Sequence, residues 1–209
     1  MNNLTIDSEQ VKTFFNTLWS DQEDGFLSIS SDTPSGSLQT KFFSHPLKMD
    51  ILSSALDRWS NRNLWFTVGL FKERPSSGRG KAAGVIGIPG LVGDFDCQGG
   101  VHKTDPDKLP TKDEALELIN EIPFKPSVLI WSGGGYQAYW LFPEPWIFED
   151  EQDKKKAESL SGRWKDYLLG IGKKKGWKID STASIEHLFR IPGSHNCKAE
   201  PVPVSIVEV

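Results

Sequence analysis

The chain has 209 residues, of which 37% are hydrophobic and 25% charged, with 24 basic against 28 acidic side chains. This composition is that of a globular protein and fits one large domain, which excludes collagen-like, coiled-coil and wholly disordered chains. The net charge of −4 excludes a protein that coats nucleic acid over its whole surface, although it allows a local basic groove.

Membrane and secreted classes are also disfavoured. No stretch comes close to the run of about 18 apolar residues that a membrane span needs. The amino terminus shows no basic region followed by an apolar run, so no secretory signal is visible. The only cysteines, Cys97 and Cys197, are too few for a disulfide framework. We therefore expect a cytoplasmic protein with no membrane partner.

Hydrophobic spacing and turn residues predict the elements of the first half of the chain. In order, these are a helix after Asp7 or Ser8 to Trp19, a strand over 25–30, a polar loop through Thr40, a helix over 50–59, a buried strand over 64–71, and a polar loop over 72–84.

The same criteria predict the second half. In order, these are a strand over 90–96, a helix over 111–120 with Thr111 as its N-cap in a capping box, strands over 127–131 and 136–142 around a tight turn, a helix over 149–170, and short strands over 177–180, 187–191 and 202–207. Helices and strands alternate and neighbouring strands form hairpins, so we predict an α+β (mixed α/β) fold. Residues 1–209 are expected to form one domain, with the amino-terminal module of a longer protein as the alternative.

Two carboxylates mark the end of the strand over 90–96. Asp94 and Asp96 are separated by one residue, so on a strand both project from the same face. Two neighbouring carboxylates repel unless a cation lies between them, and oxygen ligands suit Mg²⁺ or Mn²⁺. Taken alone, such a pair is more often two solvated acids at a strand end than a metal site.

A run of three glycines follows the next strand. The segment Ser132-Gly133-Gly134-Gly135-Tyr136-Gln137 contains more glycine than a two-residue hairpin needs. Without Cβ atoms, such a loop lets backbone N–H groups approach an anion closely. A loose glycine-rich hairpin is the alternative.

A third cluster lies near the carboxyl end. Asp180 is expected at a strand end, and Arg190 lies within an apolar strand, where an unpaired cation is costly. Arg190 must therefore have an acidic partner or an anionic ligand. The Pro-Gly pair after it predicts a turn that returns Asn196 and Lys198 to the same edge. These acids and cations form a plausible site for a metal-bound triphosphate.

Together, these segments resemble a known family. GLVGDFD, then SGGGYQAYW, then ID with FRIPGSHNCK resemble motifs I, II and III of the archaeo-eukaryotic primase superfamily. The similarity is greatest to the primase-polymerase (prim-pol) domain of plasmids, phages and mobile elements, and it spans roughly residues 10–205. It implies a catalytic sheet like that of an RNA-recognition fold, packed on a second small α/β unit.

The resemblance also implies a function. Such enzymes use Mg²⁺ or Mn²⁺ in a two-metal site to join (d)NTPs to a primer 3′-OH or an initiating nucleotide on single-stranded or primed DNA. The implied partners include a downstream helicase or a primase carboxyl-terminal module. The implied metal ligands are Asp94, Asp96 and Asp180. The implied nucleotide-binding residues are Ser132, Gly133, Gly134, Gln137, Arg190, Asn196 and Lys198.

One position departs from the pattern. Many members of the family carry His where this chain has Gln137, and Gln cannot bring a positive charge to the triphosphate. The change predicts lower nucleotide affinity, transfer of this task to Arg190 or Lys198, or a weakened enzyme.

Two rival functions therefore stay open. The first is a catalytically weak or inactive relative that binds nucleotide or single-stranded DNA, which Gln137 favours. The second is an unrelated metal enzyme that uses Asp94 and Asp96 to hold a sugar nucleotide, which leaves Asp180 and the turn after Arg190 unexplained. Residues 154–178, which contain nine basic and two acidic side chains, are a candidate groove for DNA phosphates or, equally, a solvated basic helix.

Overall fold

The computed structural model of the chain describes residues 4–100, 106–180, 182 and 184–209. In these residues four α-helices and eleven β-strands form a mixed α/β fold in which every strand pairing is antiparallel. The helices are α1 (Ser8–Trp19), α2 (Met49–Asp57), α3 (Lys112–Asn120) and α4 (Glu151–Lys174). None of the described helices has the length and apolar character needed to cross a membrane.

Nine of the described strands belong to one sheet, and β9 and β10 form a separate pair. The strands are β1 (Phe26–Asp32), β2 (Leu38–Ser44), β3 (Leu64–Thr67), β4 (Leu70–Phe71), β5 (Val85–Asp96), β6 (Val128–Trp131), β7 (Gly135–Ile147), β8 (Leu188–Arg190), β9 (His195–Asn196), β10 (Val202–Pro203) and β11 (Ser205–Glu208).

The large sheet forks beside β3 and β4. These two strands follow each other along one side of β1, whose other side pairs with β2. Beyond them, β4 pairs with β5 while β3 pairs with β8. β5 runs antiparallel to β4 and pairs with it only near Val85. Its carboxyl-terminal part, which ends at Asp96, continues beyond this pairing and lies beside β8. We call the gap between β8 and the far end of β5 the fork.

Helices cover both faces of the sheet. Apolar residues of α1 and α2 pack against one face, and those of α3 and α4 pack against the other. Along β5 the side chains alternate, so that Val92 joins the first core and Phe95 the second. The aromatic rings of Phe66, Tyr139 and Phe189 meet in the first core and join β3, β7 and β8.

Local sequence signals predict two helix starts correctly. Asp7 caps α1 by accepting hydrogen bonds from the backbone N–H groups of Glu9 and Gln10. Thr111 and Glu114 form the predicted capping box at the start of α3. In both places the polar side chain supplies partners for N–H groups that have none inside the helix.

Several predicted elements were wrong in extent or type. The predicted loop through Thr40 overlaps the start of β2. This strand is partly exposed, and its polar residues did not indicate a strand in the sequence. The single predicted strand over 64–71 is divided into β3 and β4. The predicted strand over 177–180 is irregular, because the backbone N–H groups of Lys178 and Asp180 bond to the carbonyls of Lys108 and Asp94 rather than to a strand ladder.

Candidate active site

The carboxylates of Asp94 and Asp96 lie at the end of β5, beside the fork. Strand alternation places both on the face that carries Val92, and in the pairing with β7 they oppose Gln137 and Gly135. Both residues line a cavity of about 380 Å³. The spacing of these two acids in the sequence therefore predicts their shared face correctly.

The surroundings of Asp94 disfavour a negative charge. Burial, together with the nearby negative charges of Asp96 and Asp180, raises the pKa of its carboxyl to about 7. A hydrogen bond from Gln137 and the charge of Lys198 act in the opposite direction. A divalent cation would relieve the repulsion among the three acids, since it would attract all of them.

Asp180 lies next to this pair but differs from it in exposure. Its backbone N–H donates to the carbonyl of Asp94 over 3.3 Å, while the residue itself is exposed and does not line the cavity. In the part of the chain that the structure describes, no group of three or more His, Cys, Asp or Glu side chains is already arranged to hold a metal ion. The donors that fit a hard cation best are the carboxylate oxygens of Asp94 and Asp96.

The glycine-rich turn between β6 and β7 has a packing explanation. Gly133 has φ +85°, and a Cβ there would lie 2.7 Å from the Cβ of Asn196. At Gly135, a Cβ would lie 2.4 Å from the backbone oxygen of Phe95. The Ser132 hydroxyl donates to the carbonyl of Gly135 over 2.9 Å. Ser132, Gly133 and Gly134 nevertheless line the cavity, and their role in nucleotide binding stays a prediction.

Gln137 is buried and its side-chain amide is used at both ends. Its Nε2 donates to Asp94 Oδ2 over 3.3 Å, and its Oε1 accepts from the backbone N–H of Arg190 over 3.0 Å. The amide therefore spans the fork and supplies an acceptor for the unpaired edge of β8. Both polar atoms of the Gln137 amide are therefore hydrogen-bonded within the protein, rather than left for a triphosphate.

Arg190 is only 4% exposed, yet its side chain borders the cavity. Its Nη1 donates to Asn63 Oδ1 over 2.6 Å and its Nη2 to Asn196 Oδ1 over 3.0 Å. The guanidinium also lies over the ring of Trp65, 4.6 Å from its centroid. Among the described residues its hydrogen-bond partners are thus neutral amides, so the predicted acidic partner is not one of them.

Burial lowers the pKa of Arg190 to about 10, which leaves the guanidinium charged at neutral pH. A buried cation held by neutral groups attracts an anion strongly, because little solvent screens it. The cavity beside it is the place where such an anion would bind.

Asn196 and Lys198 complete the cavity as the sequence predicts. The Asn196 Nδ2 donates to the carbonyl of Ser132 over 3.0 Å, so this side chain joins Arg190 to the glycine-rich turn. Lys198 is exposed at the cavity, where its charge lowers the pKa of Asp94.

Three further residues of the site have no role in the sequence interpretation: Asp32, Asn63 and Trp65. Asn63 lies directly before β3, and Trp65 is the second residue of that strand. The sequence shows only an asparagine and a tryptophan near the start of a buried strand, and that combination is too common to indicate a functional site.

The comparisons with known proteins concern the fold. No protein-family model matches the sequence, and no curated protein matches it significantly. The structure is similar to that of the catalytic domain of primase RepB′ in complex with initiator DNA, with a TM-score of 0.55 and 11% identity over 96% of this chain and 84% of that one. A second structure of primase RepB′ gives a TM-score of 0.55 and 12% identity, and the match covers 96% of this chain and 56% of that one. At these identities the likeness establishes a shared fold.

Proposed function

We propose that the chain is a DNA primase-polymerase domain, a metal-dependent nucleotidyltransferase that extends or starts strands on a DNA template. One observation carries the proposal: carboxylates and a buried arginine border the same cavity. Asp94 and Asp96 offer the ligands of a hard cation, while Arg190 and Lys198 offer positive charge to phosphates. A nucleoside triphosphate with its divalent cation carries the matching chemistry.

The chain's own residues would have distinct tasks in this reaction. The primer 3′-OH attacks the α-phosphate in line, so that a new phosphodiester bond forms and pyrophosphate leaves. Asp94 and Asp96 would hold Mg²⁺ or Mn²⁺, with Asp180 beside them, and the bound cations would lower the pKa of the hydroxyl and neutralise the leaving group. Arg190 and Lys198 would compensate the phosphate charge, and Asn196 would keep Arg190 and the glycine-rich turn together.

The fold supports a DNA partner. The similar RepB′ catalytic domain is bound to initiator DNA, and we extend that partner to this chain as single-stranded or primed template. In this proposal β5, β6 and β7 belong to the catalytic sheet. A downstream helicase or primase module would be a partner of the whole protein.

A nucleotide-binding or single-stranded-DNA-binding module without strong catalysis is the second candidate. It is favoured by the position of Asp180, which is exposed and does not line the cavity that Asp94 and Asp96 border. The hydrogen bonds of Gln137 to Asp94 and Arg190 also favour this candidate, because they engage the amide within the protein rather than with a triphosphate.

An extension assay separates the two candidates. The wild-type protein, Asp94→Asn and the matched control Asp24→Asn are incubated with labelled dNTPs or NTPs, Mg²⁺ or Mn²⁺, and a single-stranded template with or without a primer. We expect products from the wild type and from Asp24→Asn, whose side chain is exposed before β1. Asp94→Asn should lose about 100-fold or more in rate, since the change of even an outer partner of a metal ligand costs about 10–100-fold. Binding of nucleotide without any product would favour the second candidate, and equal activity of Asp94→Asn would overturn the site.

A further inference from the structure

A chain of hydrogen bonds behind the cavity ends at Arg190. Asp32, at the end of β1, accepts from the backbone N–H of Asn63 over 2.9 Å and from its Nδ2 over 2.6 Å. The opposite atom of the same amide, Asn63 Oδ1, accepts from Arg190 Nη1 over 2.6 Å. The amide is therefore held at both ends.

These contacts determine which end of the amide faces the guanidinium. Asn63 Oδ1 also accepts from the backbone N–H of Cys197 over 2.8 Å. A flipped amide would place NH₂ against two donors and would put its oxygen against the Asp32 carboxylate. Asp32 thus selects the orientation in which Asn63 offers an acceptor to Arg190.

The guanidinium needs such support because of where it lies. It is buried at the edge of the fork, stacked on Trp65, and a second amide, that of Asn196, binds its Nη2. Its hydrogen bonds to described residues use two of its five N–H donors, and the residue lines the cavity. The side chain can present these donors to the cavity only while the two amides hold it in place.

We propose that Asn63, oriented by Asp32, is a positioning residue that directs Arg190 towards a phosphate group in the cavity. The ligand part of this inference rests on the proposed function, since it takes the anion to be the triphosphate of a nucleotide. Asn63 touches no ligand itself. It acts through Arg190 and, through the N–H of Cys197, holds the turn that carries Asn196.

The first experiment measures positioning without any ligand. The side-chain ¹⁵N resonances of Arg190 are identified by NMR through their loss in Arg190→Met, and rotation of the guanidinium is followed in the other variants. Asn63→Ala should speed this rotation by about tenfold or more, because a hydrogen bond to a charged group is lost. Asn61→Ala is the matched control, since Asn61 is exposed two positions earlier and, within the described part of the chain, its side chain accepts only from the N–H of Leu4. Unchanged rotation in Asn63→Ala would overturn the inference.

The second experiment measures affinity for a nucleoside triphosphate with Mn²⁺ in a double-mutant cycle. Asn63→Ala should weaken binding by about tenfold in the wild-type background and by little in the Arg190→Met background. The reason is that both substitutions remove the same function, the contact of Arg190 with the phosphate. Equal losses in the two backgrounds would show that Asn63 acts independently of Arg190. Asp32→Asn, which keeps the size of the side chain, should reproduce part of the effect if Asn63→Ala folds poorly.

The two experiments distinguish a failure of the proposed function from a failure of the positioning role. A wild-type protein that binds no triphosphate would overturn the proposed function, while the NMR measurement would still decide whether Asn63 positions Arg190. A wild type that binds tightly, together with an Asn63→Ala variant that binds equally well, would overturn the positioning role alone.

Discussion

Gln137 on β7 donates a hydrogen bond from its Nε2 to the carboxylate of Asp94 on β5 over 3.3 Å. The two residues oppose each other in the strand pairing, and the other end of the amide bonds to the edge of β8. Gln137 therefore connects the acidic end of β5 to β8 across the fork.

Replacement of Gln137 by Ala is expected to lower the free energy of unfolding by about 1–3 kcal/mol, because it leaves a buried N–H of Arg190 without its acceptor. Urea denaturation measures this change. Gln39→Ala, at an exposed position of β2, should stay within about 0.5 kcal/mol of the wild type. Similar values for the two variants would contradict the structural role of Gln137.

Asp94→Asn is expected to unfold at a higher temperature than the wild type when no metal is added. The substitution removes a carboxylate that burial and the neighbouring acids Asp96 and Asp180 destabilise. Addition of Mn²⁺ should raise the melting temperature of the wild type more than that of the variant, since ligand binding stabilises the folded state. Thermal scans with and without Mn²⁺ check both statements, and an equal rise in the two proteins would argue against a cation at Asp94.

Gly133→Ala should destabilise the protein more than Gly36→Ala. Both glycines have positive φ, +85° and +80°, but a Cβ meets nothing within 4 Å at Gly36 and lies 2.7 Å from Asn196 at Gly133. Gly36→Ala should therefore cost only the backbone strain of about 1 kcal/mol. Gly133→Ala should cost about 1–3 kcal/mol more for overpacking, as measured by denaturation. Equal costs would mean that Asn196 moves away freely.

The cap of α1 is expected to depend on pH. Hydrogen bonds from Gln10 and Glu9 lower the pKa of Asp7 below its ordinary 3.8, so its contribution is complete above that value and is lost as the pH falls through the lower, folded-state pKa. Asp7→Ala should cost about 1 kcal/mol at pH 7. Asp7→Asn keeps a capping oxygen and should be nearly neutral at pH 7 while losing the pH dependence below about 4. Denaturation curves at pH 7 and pH 3 test this prediction. It would be contradicted if the Asp7 cap contributed as much to the free energy of unfolding at pH 3 as at pH 7.

The sequence alone determined the features that depend on neighbouring residues. The cap at Asp7, the capping box at Thr111 and the shared face of Asp94 and Asp96 each arise from side chains at most three positions apart. Backbone geometry over so short a distance leaves few alternatives, so residue type and spacing are enough to predict them. The mixed α/β class follows from the same local signals.

Only the tertiary structure decided what surrounds Arg190. Its contacts with Asn63 and with Gln137 join residues 127 and 53 positions apart, and both exist because β8 pairs with β3 beyond the short pairing of β5 with β4. No periodicity in the sequence indicates the fork, since the residue pattern of a strand does not specify which strand pairs with it. The partners of a buried charge depend on which strands become neighbours, and that is settled by the packing of the whole sheet against its helices.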